Sequence, residues 1–174
     1  MHFRICICLI ILFCVGYLYG DFRQEQAKVR VCNPKYIKDC IVFTGRKSRK
    51  DKVYRTNMTG TLLVPFGNNV SFALTFTMKS GGDFRIVAKA CDTVKSKWSR
   101  EFMQQFTNIP LSRCPFPPGT YKYTNMELPP KNIPIPLADG DYYLRMELFI
   151  TATKEPIVDI LTLLHFDDSK PRKG

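Results

Sequence analysis

Residues 70–78, VSFALTFTM, carry large apolar side chains at every second position. Val70, Phe72, Leu74, Phe76 and Met78 alternate with small or polar residues. A period of two is typical of a β-strand that buries one face, whereas an amphipathic helix repeats every 3.6 residues. The segment therefore predicts a strand in an all-β fold, and it raises the question of what this apolar face contacts.

Strand patterns bounded by turn residues recur through the rest of the chain. They predict strands at 60–66, 83–91, 121–128, 141–154 and 157–166. The period changes only in SKWSREFMQQFTN (96–108), where Trp98, Phe102, Met103 and Phe106 share one face of a short helix capped by Ser96. Many short strands with one brief helix favour a β-sandwich of two antiparallel sheets over a βαβ sheet.

The first 20 residues are typical of a secretory signal peptide. One positive charge, Arg4, precedes an apolar run from Ile5 to Val15, which is too short to cross a bilayer as a helix. Cleavage is expected near Gly20, and a signal anchor is the alternative. The remaining residues, 21–174, suit one domain because no linker or repeat divides them.

Cysteine usage agrees with secretion. The mature chain keeps four cysteines, an even number that indicates disulfides in an oxidising compartment. Four cysteines allow three pairings, and the sequence does not choose among them, although proximity along the chain favours Cys32–Cys40 and Cys91–Cys114. A metal site is not expected because no CxxC or CxxH spacing is present.

The chain is strongly basic, with 26 Lys and Arg against 15 Asp and Glu. The densest run lies at 45–52 and contains Arg46, Lys47, Arg49 and Lys50, here called the basic loop. We interpret it as a solvated loop, with anionic lipid head groups or acidic glycans as alternative partners. Nucleic acid is not expected as a partner of a secreted protein.

Two sequons, Asn57-Met-Thr59 and Asn69-Val-Ser71, are candidate glycosylation sites. Asn69 borders the strand at 70–78, so a glycan there would lie at the beginning of that strand.

Nothing in the sequence indicates catalysis or a cofactor. The mature chain has one histidine, His165, which follows Leu163 and Leu164 on a predicted strand and is expected to be structural or at a rim. No GxSxG elbow, HExxH helix or phosphate loop is present. We therefore expect a non-enzymatic protein.

The order of features at 114–150 is more specific than any single motif. CPFPPGTYKYTNMELPPKNIPIPLADGDYYLRMELFI gives Cys-Pro, Gly-x-Tyr, a short strand, several prolines and a long strand that opens with Gly-Asp-Tyr-Tyr-Leu-Arg. Together with the upstream ACDTVKSKWSREFMQQFTN, it resembles the MD-2-related lipid-recognition superfamily. The resemblance covers about residues 30–166. It is closest to the insect branch of uncharacterised secreted domains that includes the chemosensory B proteins, and the chain is also similar to the GM2 activator.

That resemblance implies an immunoglobulin-like sandwich whose sheets splay apart around a lipid or other hydrophobic ligand. It also implies that Cys91–Cys114 flanks the pocket mouth. The implied pocket residues, with aromatic residues near the wall or mouth added, are Phe72, Leu74, Phe76, Met78, Phe84, Ile86, Trp98, Phe102, Phe116, Leu144, Met146 and Leu148.

The functional expectation is a secreted binder of lipids or small hydrophobic molecules, with chemosensory or pheromone response as one setting. A membrane receptor or an anionic membrane surface is a further expected partner. The alternative is a closed sandwich that acts as a protein ligand or receptor accessory. Periodicity does not decide which face of 141–154 points inward, because Tyr143 and Phe149 compete with Leu144 and Leu148.

Overall fold

The computed structural model describes residues 21–51, 53–128 and 139–167, without the side chains of residues 21, 22, 98 and 167. It confirms the all-β class: two antiparallel sheets form a β-sandwich. The strands are β1 (Asp21–Cys32), β2 (Ile37–Gly45), β3 (Arg55–Leu62), β4 (Val70–Met78), β5 (Asp83–Lys89), β6 (Gly119–Met126), β7 (Gly140–Ile150) and β8 (Pro156–Asp167). The predicted signal peptide at 1–20 lies outside the described residues.

The two sheets differ in width. The larger has five strands in the order β1-β8-β7-β4-β5, and the smaller has three in the order β2-β3-β6. The hairpin between β4 and β5 turns at Gly81 and Gly82, whose φ angles of 104° and 96° suit glycine, and Gly81 N–H donates to Met78 O at 3.0 Å. Because the sheets are unequal, part of the larger one extends beyond the smaller.

The pairing of β4 with β7 decides which face of β7 points inward. Phe72, Leu74 and Phe76 lie directly opposite Leu148, Met146 and Leu144. Directly opposite residues in an antiparallel pair share one face of the sheet, so the even-numbered residues of β7 face the interior. Tyr143 points to the other side and is 38% exposed.

Strands β1 and β2 were not predicted from the sequence. Strand β1 has irregular pairing with β8 between Gln24 and Gln26 and between Val29 and Val31, which breaks the alternation of two. It also buries a polar residue, Gln24, whose amide nitrogen donates to the carbonyl oxygens of Tyr54 and Met126 at 2.6 and 2.9 Å. In β2 the irregularity falls between Lys38 and Ile41, so neither strand shows a clean pattern.

The strand predicted at residues 60–66 lies closer to the N-terminus in the structure. The strand there is β3, which begins at Arg55 and ends at Leu62. Its residues pair through backbone hydrogen bonds with strands on both sides. Polar side chains such as those of Asn57 and Thr59 gave no sequence pattern that predicts this pairing. Beyond Leu62 the chain leaves the sheet, and Phe66 forms an isolated bridge with Phe116.

Two short helices, rather than the one predicted, follow β5: α1 (Ala90–Thr93) and α2 (Lys97–Gln104). The predicted cap is confirmed, since the Ser99 N–H donates to Ser96 Oγ at 3.5 Å. Helix α2 ends before Pro110 because the chain then pairs with β6, where Thr124 N–H donates to Phe106 O at 2.7 Å. No helix in the described ranges is long and apolar enough to span a membrane.

Both preferred disulfides are present. Cys32–Cys40 connects β1 to β2 and therefore joins the two sheets, with a Cα–Cα distance of 6.0 Å. Cys91–Cys114, with a Cα–Cα distance of 5.6 Å, closes the helical segment at residues 90–118 on itself. Disulfides of this kind are typical of proteins that fold in an oxidising compartment.

A candidate hydrophobic binding site between the sheets

A cavity of about 270 Å³ lies between the two sheets. Side chains from both sheets and from the helical segment line it, and nearly all of them are apolar. The volume is slightly below the range of about 300–1,000 Å³ that is usual for small-molecule sites. The cavity therefore suits a small apolar molecule.

The wall formed by the five-stranded sheet is the apolar face of β4 and β7. Its members include Phe72, Leu74, Phe76, Leu144 and Met146. Strand β4 has a neighbour on each side, yet Phe72 and Leu74 are only partly buried, whereas Phe76 is 2% exposed. Since neighbouring strands already flank Phe72 and Leu74, their remaining accessibility comes from the open space in front of the sheet.

The opposite wall comes from the three-stranded sheet. Met58, Gly60 and Leu62 on β3 and Tyr121 and Tyr123 on β6 line it. A Cβ atom at Gly60 would lie 2.8 Å from Ile37 Cδ1, so the glycine lets the isoleucine cross close to the strand. Sequence reasoning did not place these residues in the site, although Tyr121 and Tyr123 alternate in a predicted strand and were a usable signal.

The helical segment closes one side of the cavity. Ala90, Phe102, Met103 and Phe116 contribute to the lining. The rings of Phe102 and Phe106 lie 5.2 Å apart in a tilted arrangement, and both side chains pack against the core. Cys91–Cys114 connects the two ends of this segment, so the bridge holds part of the wall in place.

The structure brings most of the predicted pocket residues to one cavity. Those that line it are Phe72, Leu74, Phe76, Phe102, Phe116, Leu144, Met146 and Leu148. Met78 packs against the adjoining core instead. The prediction for Trp98 lies outside the described residues, because its side chain is not among them.

The prediction for Phe84 and Ile86 was wrong in one respect. They lie opposite Phe76 and Leu74 and therefore share the cavity face, as expected. They are nevertheless 44% and 38% exposed and do not line the cavity. The reason is that β5 is the edge of the wider sheet, where the smaller sheet does not cover them.

Two tyrosines contribute to this lining, beside the hydroxyl residues Thr59, Thr93 and Ser99. Tyr121 Oη donates to the carbonyl oxygen of Pro117 at 2.7 Å. Burial raises the pKa of Tyr123 to about 12, against the opposing effect of its hydrogen bond with Thr107. Tyr123 therefore stays neutral at physiological pH.

Charged side chains of the same strands lie on the outer face of the larger sheet. Arg145 binds the buried carboxylate of Asp159 through Nε at 3.1 Å and Nη2 at 2.9 Å. Glu147 lies within 3.1 Å of both Arg145 and Arg85. The hydrogen bond to Asp159 raises the pKa of Arg145 further, so its guanidinium stays charged.

His165 takes part in a surface ion network away from the cavity. Its Nδ1 lies 2.7 Å from Asp141 Oδ1, and Lys79 Nζ lies 2.7 Å from Asp141 Oδ2. Hydrogen bonds from Lys79 and then from His165 lower the pKa of the Asp141 carboxyl. No His165 atom lines the cavity, which agrees with a structural or rim position.

The remaining predicted sites lie on the surface. All four cations of the basic loop are exposed, and the Arg46 guanidinium lies 5.2 Å from the centre of the Tyr54 ring. Asn69 is exposed in the turn before β4, whereas Asn57 is partly buried and accepts a hydrogen bond from Asn125 N–H at 2.9 Å. Of the two predicted glycosylation sites, Asn69 is therefore the more accessible.

Comparison with known proteins gives one finding. A family model described as a protein of unknown function (DUF1091) matches residues 84–144. This stretch runs from β5 through both helices and β6 into β7, and it contains Cys91 and Cys114. No curated protein matches the chain.

Proposed function

We propose that this protein is a secreted, non-enzymatic binding protein that encloses a lipid or another small hydrophobic molecule between its two sheets. The observation that carries the proposal is the apolar cavity of about 270 Å³, lined from both sheets. Partly buried Phe72 and Leu74, on a strand flanked by neighbours on both sides, are the surfaces that a ligand would cover.

Sequence supports the same conclusion independently. The order of motifs at 114–150 resembles the MD-2-related lipid-recognition superfamily, in which ligands bind between the sheets. The match to DUF1091 covers much of that region without assigning it a function. An N-terminal segment typical of a signal peptide, together with two disulfides, supports secretion. A chemosensory role, such as presenting a hydrophobic pheromone to a membrane receptor, is one setting for such a protein.

Energetics favour an occupied cavity. At about 24 cal/mol per Å³, a fully enclosed dry void of this volume would cost about 6 kcal/mol, which is an upper bound for a cavity that is partly open. That is comparable with the whole stability of a typical domain, about 5–15 kcal/mol. A bound apolar molecule restores the lost contacts and stabilises the folded state by mass action.

A cavity-filling substitution with a matched control tests the proposal. Leu74→Trp places an indole in the cavity, whereas Val87→Trp places the same side chain on the exposed outer face of the neighbouring strand, where Val87 is 53% exposed. Binding of an apolar fluorescent dye should weaken at least tenfold in Leu74→Trp and remain unchanged in Val87→Trp. Equal dye binding by both variants and the parent protein would contradict enclosure between the sheets.

A second candidate function is that of a protein ligand or receptor accessory. Phe43 on the edge strand β2 is 65% exposed, its neighbour Ile41, which also lines the cavity, is 63% exposed, and the basic loop follows directly. Such a surface suits an acidic partner protein or an anionic membrane. Salt-sensitive binding that is lost in Phe43→Ser, together with no dye uptake, would favour this function over ligand carriage.

A further inference from the structure

The described residues that line the cavity include no cation, although the chain is strongly basic. The sequence holds 26 Lys and Arg residues, but none of the described residues that line the cavity is Lys, Arg or His. A carboxylate or phosphate inside it would therefore have no counter-ion among them. An unpaired buried charge is strongly unfavourable, and an acid usually takes up a proton instead.

Strand alternation explains how the cations are kept out. Arg145 lies between Leu144 and Met146 on β7, and its guanidinium is bound to Asp159 on the outer face. Lys122 lies between Tyr121 and Tyr123 on β6 and is exposed. At these two positions, strand alternation places the cation on the side of the sheet away from the cavity.

One acidic residue, Glu147, borders the cavity through its position on β7, but its carboxylate faces outward. Its two oxygen atoms each lie 3.1 Å from an arginine nitrogen, Oε1 from Arg145 and Oε2 from Arg85. The charge of Glu147 is therefore compensated by two arginines on the outer side of the sheet and does not act inside the cavity.

The uncharged hydroxyl residues of the lining are Thr59, Thr93, Ser99, Tyr121 and Tyr123. Tyr121 donates its proton to Pro117 O, which leaves its oxygen as an acceptor. Tyr123, with a pKa of about 12, is a neutral hydroxyl near Thr107. Neutral hydroxyls of this kind can accept a hydrogen bond from an alcohol, but they cannot neutralise a carboxylate.

We infer that the site selects uncharged ligands, an inference that rests on the proposed function. Hydrocarbons, long-chain alcohols or esters are bound, and the corresponding fatty acid is bound only in its protonated form.

The test compares three ligands of equal chain length: 1-dodecanol, methyl dodecanoate and dodecanoic acid. Each competes with a neutral apolar dye, N-phenyl-1-naphthylamine, for the full secreted protein at pH 7, 6 and 5. With an ordinary carboxyl pKa of about 4.3, only about one acid molecule in 500 is neutral at pH 7. The acid should therefore bind at least about 100-fold more weakly than the alcohol at pH 7, and its affinity should rise about tenfold with each unit of pH decrease.

The alcohol and the ester control for pH effects on the protein itself, because neither of them titrates. An acid that binds within tenfold of the alcohol at pH 7, or whose relative affinity does not change with pH, would overturn the inference while leaving the proposed function intact. Failure of all three ligands and of the dye to bind would overturn both.

Discussion

Phe84 lies directly opposite Phe76 in the β4–β5 pair, so the two rings share one face of the sheet, yet Phe76 is 2% exposed and Phe84 is 44% exposed. The difference arises because Phe76 lies on β4, which has a neighbouring strand on each side, whereas Phe84 lies on the edge strand β5. One strand spacing thus separates the interior of the sandwich from its open edge.

This relationship predicts unequal costs for the same substitution. Phe76→Ala removes a buried ring and should lower the free energy of unfolding by about 3–5 kcal/mol. Phe84→Ala should lower it by less than about 1 kcal/mol, because the exposed Phe84 ring makes few packing contacts in the folded protein. Urea denaturation with the disulfides intact measures both values, and equal losses would contradict the uncovered edge.

Replacing Arg145 should cost more unfolding free energy than replacing its partner Asp159. The side chain of Asp159 is 4% exposed, whereas that of Arg145 is 39% exposed. Arg145→Met leaves a buried carboxylate with only Arg30, 3.8 Å away, and should cost about 3 kcal/mol. Asp159→Asn leaves an arginine that reaches water and Glu147, so its cost should be lower, about 1–2 kcal/mol. The reverse order in chemical denaturation would show that Asp159 is not the desolvated partner.

Acid should weaken the contact between the β7–β8 turn and the segment that precedes β2. The Tyr36 hydroxyl donates to Glu155 Oε2 at 2.8 Å, and this hydrogen bond, followed by the charge of Lys35, lowers the pKa of Glu155 below its ordinary 4.5. A carboxyl with a lowered pKa in the folded state stabilises it above pH 4.5, and the contribution is lost as pH falls through the folded pKa.

The melting temperature should therefore change little between pH 7 and 5 and fall below about pH 4. Tyr36→Phe removes the main cause, so NMR titration should show the pKa of Glu155 moving back toward 4.5. An unchanged pKa in this variant would contradict the assigned hydrogen bond.

The two disulfides should differ in what their removal affects. Cys91 and Cys114 are 23 residues apart, against 8 for Cys32 and Cys40. Loop-closure entropy predicts losses of about 3.4 and about 2.5 kcal/mol for the corresponding double alanine variants. Removing Cys91–Cys114 should also weaken dye binding, because this bridge constrains the helical segment whose residues Phe102 and Phe116 line the cavity. Stronger impairment of dye binding in the Cys32–Cys40 variant would contradict this division.

A cation on the cavity face should change ligand selection. Ile86→Lys places an ammonium at the open edge on the cavity side, whereas Val87→Lys, one residue further, places it on the outer face. Ile86→Lys should therefore raise the affinity for dodecanoic acid at pH 7 several-fold relative to dodecanol, through charge pairing. The matched variant should leave the ratio unchanged, and an equal effect of both lysines would indicate only a change in net charge.

How far the sequence predicts the structure depends on how regular each strand is. The bounds of Val70–Met78 were predicted because five alternating apolar residues are flanked by turn residues. Strand β1 was missed because its pairing is irregular and because its buried Gln24 is satisfied by backbone carbonyls from distant segments, contacts that no local pattern contains.

For the candidate site too, local sequence patterns predicted some features, and others depend on contacts between distant segments. Periodicity placed Leu74 on an inward face, whereas the inward face of β7, which carries Leu144, is decided only by its pairing with β4. Periodicity could not tell that Ile86, on that same face, is exposed, because coverage depends on the number of strands in the opposite sheet. The Tyr121 wall was missed for a related reason, since the facing of β6 depends on its pairing with β3.

Mass spectrometry of an organic extract of the natively secreted protein shows whether the cavity holds a ligand, with protein that has been denatured, washed and refolded as the control. We expect an uncharged lipid or hydrocarbon at near one molecule per protein in the native extract only. An extract without such a molecule, followed by no uptake of alcohols, esters or hydrocarbons offered to the refolded protein, would contradict this expectation.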